Sequence, residues 1–195
     1  MKKIVITGCA CSGKSTLIAE LSKLGYPVIG ESARQVIQES RQTPRTRGEI
    51  LEREYKIAIK QLRQENYHNT RIWSDKTTFL DRSMVDIGAY CKYFLGQIPE
   101  TIDSLIKESK YDLVFLLEKL PFKKDGVRFD KENKERETIE KLLVKTYIDY
   151  GHNMLLVPKV PLRGRIDFIL RHIEYIKGGE KNVLMGNERT AKKGR

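Results

Sequence analysis

The chain has 195 residues, 39% of them hydrophobic and 32% charged, with a formal net charge of +11. That length suits one sizeable core rather than two, and the apolar share excludes global disorder. The longest uninterrupted apolar run, Leu113 to Leu117, falls far short of the roughly 20 residues that cross a bilayer. Met1 to Gly8 carries neither an h-region nor a cleavage site, so membrane insertion and secretion are not expected and the expected compartment is the cytoplasm.

In chain order, Ile4-Val5-Ile6 reads as a buried strand, followed by a turn of small residues. Leu17, Ile18, Leu21 and Leu24 then form a helical stripe that Gly25 stops. A short strand, Pro27-Val28-Ile29, leads into helix from Ser32, and Leu51, Tyr55, Ala58 and Leu62 stripe a further helix beyond the polar, basic loop Gln42 to Gly48. Thr77 to Leu80 reads as strand, with a helix carrying Met84, Ile87, Cys91 and Leu95 after it and another opened by Pro99. Tyr111 to Leu117 is the clearest buried strand. A long helix with Ile139, Leu142, Leu143, Thr146 and Tyr150, a last strand Met154 to Val157, and a helix striped by Ile166, Ile169, Leu170, Ile173 and Ile176 complete the pattern. Strands alternating with helices imply right-handed crossovers and a five-stranded parallel α/β sheet covered on both faces. From Lys177 onward six Lys or Arg stand against two Glu in a Gly-rich, aromatic-free stretch. One domain over 1–177 and a flexible basic tail over 178–195 are therefore expected.

Gly8-Cys9-Ala10-Cys11-Ser12-Gly13-Lys14-Ser15 fits the G-x-x-x-x-G-K-[ST] phosphate-binding loop, with Thr16 and a helix following. Its chemistry needs this shape. Glycines let backbone N–H groups turn toward phosphate oxygens of ATP, Lys14 on an exposed loop neutralises the terminal phosphates, Ser15 ligates Mg²⁺, and the helix N-terminus adds its dipole. The three cysteines, Cys9, Cys11 and Cys91, cannot all pair and are read as reduced thiols. Cys9 and Cys11 either fill space as small hydrophobes or, beside a lysine and a helix N-terminus, form a redox switch. His68, His152 and His172 have no ligand spacing, so zinc is not expected.

In such sheets the working acids lie past the carboxyl ends of the strands. Glu31 and Asp81 occupy those positions. Asp81, on the Walker B type strand, is expected to hold Mg²⁺, and the other acid to accept a hydroxyl proton. Glu31 alternatively stabilises a helix dipole. Phosphoryl transfer also needs positive charge over the γ-phosphate, for which Arg34, Arg82 and Arg128 are candidates. Arg128 lies in Lys123-Lys124-Asp125-Gly126-Val127-Arg128, a basic loop with a glycine hinge that suits a mobile lid. Arg34 and Arg82 point to the acceptor substrate or pair with the acids. Trp73 and Tyr67 near Arg71 stack a base or fill a core or hinge.

Gly8 to Thr16, Glu31-Ser32-Ala33-Arg34, Phe79 to Ser83, Asp86 to Tyr90, Asp112 to Leu117, Asp125 to Arg128 and Leu156-Val157-Pro158 together resemble a family of small AAA-type ATPases, with the nicotinamide riboside kinase domain of bacterial NAD-biosynthesis regulators as a relative. The resemblance spans about residues 2 to 176. It implies a P-loop kinase fold with sheet order 2-3-1-4-5 and an Arg-bearing lid. By matching position, it makes Lys14 and Ser15 the phosphate and Mg²⁺ residues, Glu31 or Asp81 the base or metal acid, and Arg128 the lid arginine. The Cys-Ala-Cys interior departs from the family's usual Gly-Pro-Gly-like filling. The expected activity is Mg²⁺-dependent phosphoryl transfer from ATP to a small hydroxyl acceptor such as a nucleoside or nicotinamide riboside. The competing expectation is a regulatory or nucleic-acid-associated ATPase, or a 5′-hydroxyl polynucleotide kinase, motivated by the basic charge and tail.

Overall fold

The computed structural model describes residues 2–40, 43–69, 76–119 and 133–175. The chain divides into two compact units, Met1–Lys159 and Val160–Arg195. The first contains β1 (Lys3–Thr7), α1 (Lys14–Lys23), β2 (Val28–Ile29), α2 (Ser32–Ser40), α3 (Arg47–Asn69), β3 (Thr78–Asp81), α4 (Met84–Leu95), α5 (Glu100–Glu108), β4 (Leu113–Leu117), α6 (Asn133–Asp149) and β5 (Met154–Val157). In the second, a helix, α7, covers residues 162–175, with Ile166, Ile169 and Ile173 buried along one stripe. The expected lid with Lys123, Lys124 and Arg128, the residues Arg71 and Trp73, and the tail over 178–195 lie outside the described residues.

All four pairings are parallel and the order is β2-β3-β1-β4-β5, as the resemblance implies. Alternation along the strands divides their side chains between two faces. Val5, Leu80 and Val114 join the core cluster built with α2 to α6, whose members include Val36, Ile57, Met84, Ile102 and Leu143. Ile4, Ile6, Phe79 and Phe115 are fully buried outside that cluster, and α1, which packs on β1, β2 and β3, buries Leu17 and Leu21.

Local chemistry sets the element ends. Gly25 and Gly96 take left-handed φ values of 86° and 75° where α1 and α4 stop, the conformation that glycine adopts without a Cβ penalty. Strand β3 runs one residue further than expected, so Asp81 pairs in register with Ile6 instead of following the strand. Within α4, Gly88 permits close helix packing: a Cβ there would come within 2.5 Å of Ile106 Cδ1 and 3.1 Å of Ile98 Cδ1. Ile106 is itself buried on α5 and has little room to yield. Gly88→Val should therefore lower the unfolding free energy by about 1–3 kcal/mol through overpacking, read as a reduced urea midpoint at unchanged slope.

Candidate active site

The phosphate-binding loop leaves β1 at Thr7 and enters α1 at Lys14. Gly8 sits at φ 142°, and a Cβ there would lie 2.9 Å from the Leu117 carbonyl oxygen on β4, so only glycine lets the loop pass this strand. Gly13 is left-handed at φ 86°, and α1 begins with no side-chain cap and no acid in its first turn. A helix start with neither a capping side chain nor an acid keeps the positive end of its dipole uncompensated by its own first turn, as an anion site requires.

Lys14 is 2% exposed, which corrects the expectation of an exposed loop lysine. Its ammonium folds back on the loop, donating to the carbonyls of Gly8 (2.7 Å) and Cys9 (2.8 Å) and to Ser12 Oγ (3.2 Å). Cys9 is fully buried, and burial raises its thiol pKa against the lowering influence of Lys14 and Arg136. Burial beside Arg136 favours the space-filling reading of Cys9. Cys11 adopts a left-handed φ of 57°, a conformation that costs an L-residue about 1–2 kcal/mol.

Asp81 faces this loop, with Oδ2 3.5 Å from Ser15 Oγ. The hydroxyl and carboxylate are hard oxygen donors of the kind Mg²⁺ takes. Among the described residues no group of three His, Cys, Asp or Glu is placed to hold a metal, so nucleotide phosphates and water would supply the other ligands, as is usual for Mg²⁺.

Arg82, the next residue, turns the other way and is left-handed at φ 72°. Its backbone N–H donates to the Ile6 carbonyl (3.1 Å), Nε to Glu31 Oε1 (2.9 Å) and Nη1 to Asp86 Oδ1 (3.3 Å), while the guanidinium carbon lies 5.1 Å from the centre of the Tyr90 ring. Burial alone would lower the pKa of Arg82. The neighbouring Tyr90, Glu31, Asp86 and Asp81 outweigh it and hold the group well above its ordinary value. Arg34 Nε lies 3.5 Å from Glu31 Oε2, which places the Glu31 carboxylate between two arginines.

These residues line the mouth of a cleft of roughly 710 Å³, counting its solvent-open part, between α2, α3 and α4. Its walls are apolar at Ile37, Ile57, Ile87 and the Tyr90 ring. At its far side Arg53 forks onto Glu54 Oε1 at 2.9 and 2.7 Å and covers the Phe94 ring at 4.7 Å. Burial raises the Glu54 pKa, with Arg53 opposing. Thus the structure gathers Lys14, Ser15, Asp81, Arg82, Glu31 and Arg34 in two adjoining sites joined at the Asp81–Arg82 peptide.

Two buried polar residues were not singled out by sequence reasoning. Asp86 is 1% exposed and accepts from Thr7 Oγ1 (2.5 Å), the Ser83 N–H (2.9 Å), Ser83 Oγ (3.3 Å), Tyr147 OH (2.5 Å) and Arg82. Ser83 and Asp86 form the capping box of α4, and the Ser-x-x-acid spacing is its sequence signal. Arg136 on α6 is also buried, with Nη2 3.8 Å from Cys9 Sγ. Its signal is periodicity, since it falls three residues before Ile139 and seven before Leu143 on the buried stripe.

Residues 3–165 match a family described as AAA domain. Among curated proteins, the trifunctional NAD biosynthesis/regulator protein NadR of Salmonella typhimurium is 30% identical over 54% of this chain and 25% of its own length, and that of Escherichia coli is 28% identical over 60% and 27%. The matched part thus amounts to about a quarter of those relatives. Among solved structures, a NadR protein in complex with NAD and AMP-PNP superposes with a TM-score of 0.69 at 16% identity, covering 89% of this chain and 49% of the other. Thymidylate kinase from Candida albicans gives 0.66 at 17% identity over 90% and 92%.

Two outcomes test this geometry. Cys11→Gly should leave stability unchanged or raise it by up to about 1 kcal/mol, whereas β-branched Cys11→Val should lower it by about 1–2 kcal/mol, because only glycine relieves a left-handed backbone. Asp86→Ala removes one of the two carboxylates paired with Arg82 and leaves the buried Thr7, Ser83 and Tyr147 donors without their shared acceptor, and should cost about 3–5 kcal/mol. Urea unfolding of the three variants against wild type measures both.

Proposed function

Because the chain belongs to this AAA domain family, we propose that it is an Mg²⁺-dependent phosphotransferase that moves the γ-phosphoryl group of ATP to a hydroxyl of a small nucleoside-like acceptor. The observation that carries the reading is the side-by-side placement of a phosphate-binding loop and an apolar-walled cleft, with consecutive residues Asp81 and Arg82 facing one and the other. A plain ATPase has no use for such a second cleft. The complexes recorded for NadR proteins, with NAD and AMP-PNP and with NR, support a nucleoside-like acceptor.

In this reading Gly8 to Thr16 bind the donor phosphates, and Lys14 exchanges the carbonyls of Gly8 and Cys9 for the β- and γ-phosphate oxygens. Ser15 and Asp81 would hold Mg²⁺, which when bound neutralises charge on the transferring phosphoryl group. Glu31, at the cleft mouth, receives the acceptor hydroxyl proton. Arg34 and Arg82 orient the hydroxyl-bearing end of the acceptor and, in the same contacts, hold Glu31 in place.

The test is ADP release from Mg²⁺ and ATP with a panel of nucleosides, nicotinamide riboside, nucleoside monophosphates and 5′-hydroxyl oligonucleotides. One small acceptor should raise turnover at least tenfold; stimulation by oligonucleotides alone would instead favour the nucleic-acid reading. Lys14→Ala should keep less than a tenth of wild-type turnover while remaining folded. Asp81→Asn should raise the Mg²⁺ concentration needed for half-maximal rate, and Glu31→Gln should lower kcat with ATP binding intact. The reverse pattern would exchange the roles of the two acids.

A further inference from the structure

A buried relay of side-chain amides leads away from the cleft along α3. At its far end the Glu65 carboxylate collects three donors: Gln61 Nε2 (2.9 Å) and Tyr111 OH (3.0 Å) on Oε1, and the Lys3 ammonium (3.2 Å) on Oε2. The Met84 backbone N–H donates to the Tyr111 oxygen at 3.1 Å, which directs the tyrosine proton to Glu65. A carboxylate paired with Lys3 only accepts, so Gln61 must turn its NH₂ toward Glu65 and its carbonyl away.

That carbonyl lies 2.7 Å from Ser32 Oγ and accepts from it. The Gln64 amide lies 2.6 Å from the same oxygen and 3.2 Å from the Gln35 amide. One hydroxyl carries one proton, so Ser32 serves the Gln61 and Gln64 carbonyls one at a time, while Gln64 Nε2 donates to Gln35 Oε1. The order of the Gln61 amide is set by Glu65.

Gln61 is 2% exposed and lines the cleft. Glu65 takes one of its two N–H groups and Ser32 one of its two carbonyl lone pairs. One donor and one acceptor remain, side by side and in a fixed order, in a wall that is otherwise largely apolar. Leaving such a pair unmatched on ligand binding is costly, which makes it a selective element.

We propose that Gln61 selects acceptors whose ring edge sets a hydrogen-bond donor beside an acceptor, as in a primary carboxamide or an amino-substituted heterocyclic base, and that Glu65 is the positioning residue that fixes the order of the Gln61 amide. The inference rests on the cleft being the acceptor site.

The experiment compares steady-state phosphorylation within three matched pairs: adenosine and purine riboside, cytidine and 2-pyrimidinone riboside, nicotinamide riboside and pyridine riboside. Wild type should prefer the amino- or amide-bearing member of at least one pair by tenfold or more in kcat/KM, mainly through KM. Gln61→Leu, or Gln61→Met if the leucine variant does not fold, should bring that ratio within about threefold of unity at unchanged KM for ATP. Glu65→Gln keeps the volume but permits either amide order, and should lose part of the preference. A purely structural role for Glu65 would scale both members of a pair equally and leave the ratio alone. A wild-type enzyme that phosphorylates pair members without preference, or folded Gln61 variants that retain the preference, would overturn the inference but not the kinase reading. Turnover confined to small acceptors outside these six would overturn the inference alone, and turnover with no small acceptor of the wider panel would overturn both.

Discussion

The buried Asp86 carboxylate is the point from which both sites are hung. Its donors come from the end of β1, the β3–α4 junction and α6, so one side chain on α4 ties together elements distant in sequence. A carboxylate with so many donors is held by directional bonds, and it fixes Thr7 at the root of the phosphate loop and Arg82 at the rim of the cleft. Burial, followed by the Asp86 charge, drives the Tyr147 pKa far upward, so that hydroxyl remains a donor to Asp86 throughout the physiological pH range. Arg82 is kept in its strained backbone conformation by the same network. A non-glycine residue at positive φ persists only where its surroundings over-determine it, and such positions gather at functional sites.

The phosphate loop shows a different economy. Gly8 has no substitute because β4 passes too close, and Gly13 has none without strain at the helix entry. Cys11 occupies a left-handed position that a glycine would fill without cost, while Cys9 fits a closed space beside Arg136. The two cysteines that look alike in the sequence are thus unlike in the structure: one is a packing residue, and the other bears backbone strain.

What the sequence made legible was what is local. The loop motif lies within eight residues, the strands are short apolar runs, and Glu31 and Asp81 stand at strand ends where a parallel sheet opens its crevice. The β3 boundary was misplaced by one residue because Asp81, a polar residue, completes the pairing with Ile6. Lys14 was assigned to an exposed loop because spacing does not reveal that an ammonium can turn back onto its own loop's carbonyls. Gln61 is illegible for a related reason: it acts through Ser32 on another helix, and one-dimensional spacing carries no register between helices. Asp86 has a local signal in the Ser-x-x-acid spacing, and only its contacts to β1 and α6 go unread. Arg136 stood on a readable helical stripe, but a cation on an apolar face reads as a solvated residue until its neighbour is known.

The seat of Gly8 against Leu117 has a consequence for the order in which the protein can assemble during synthesis. Strand β1 precedes the other four strands in the chain yet lies at the centre of the sheet, flanked by β3 and β4. Until β3 has been synthesised β1 has no neighbour, and until β4 has appeared one of its edges stays bare. Because both pairings are non-local, loop closure must precede any gain from strand pairing, which makes such sheets slow to form. The loop from Gly8 to Ser15, which lies ahead of both partner strands in the chain, is consequently among the later features to acquire its shape.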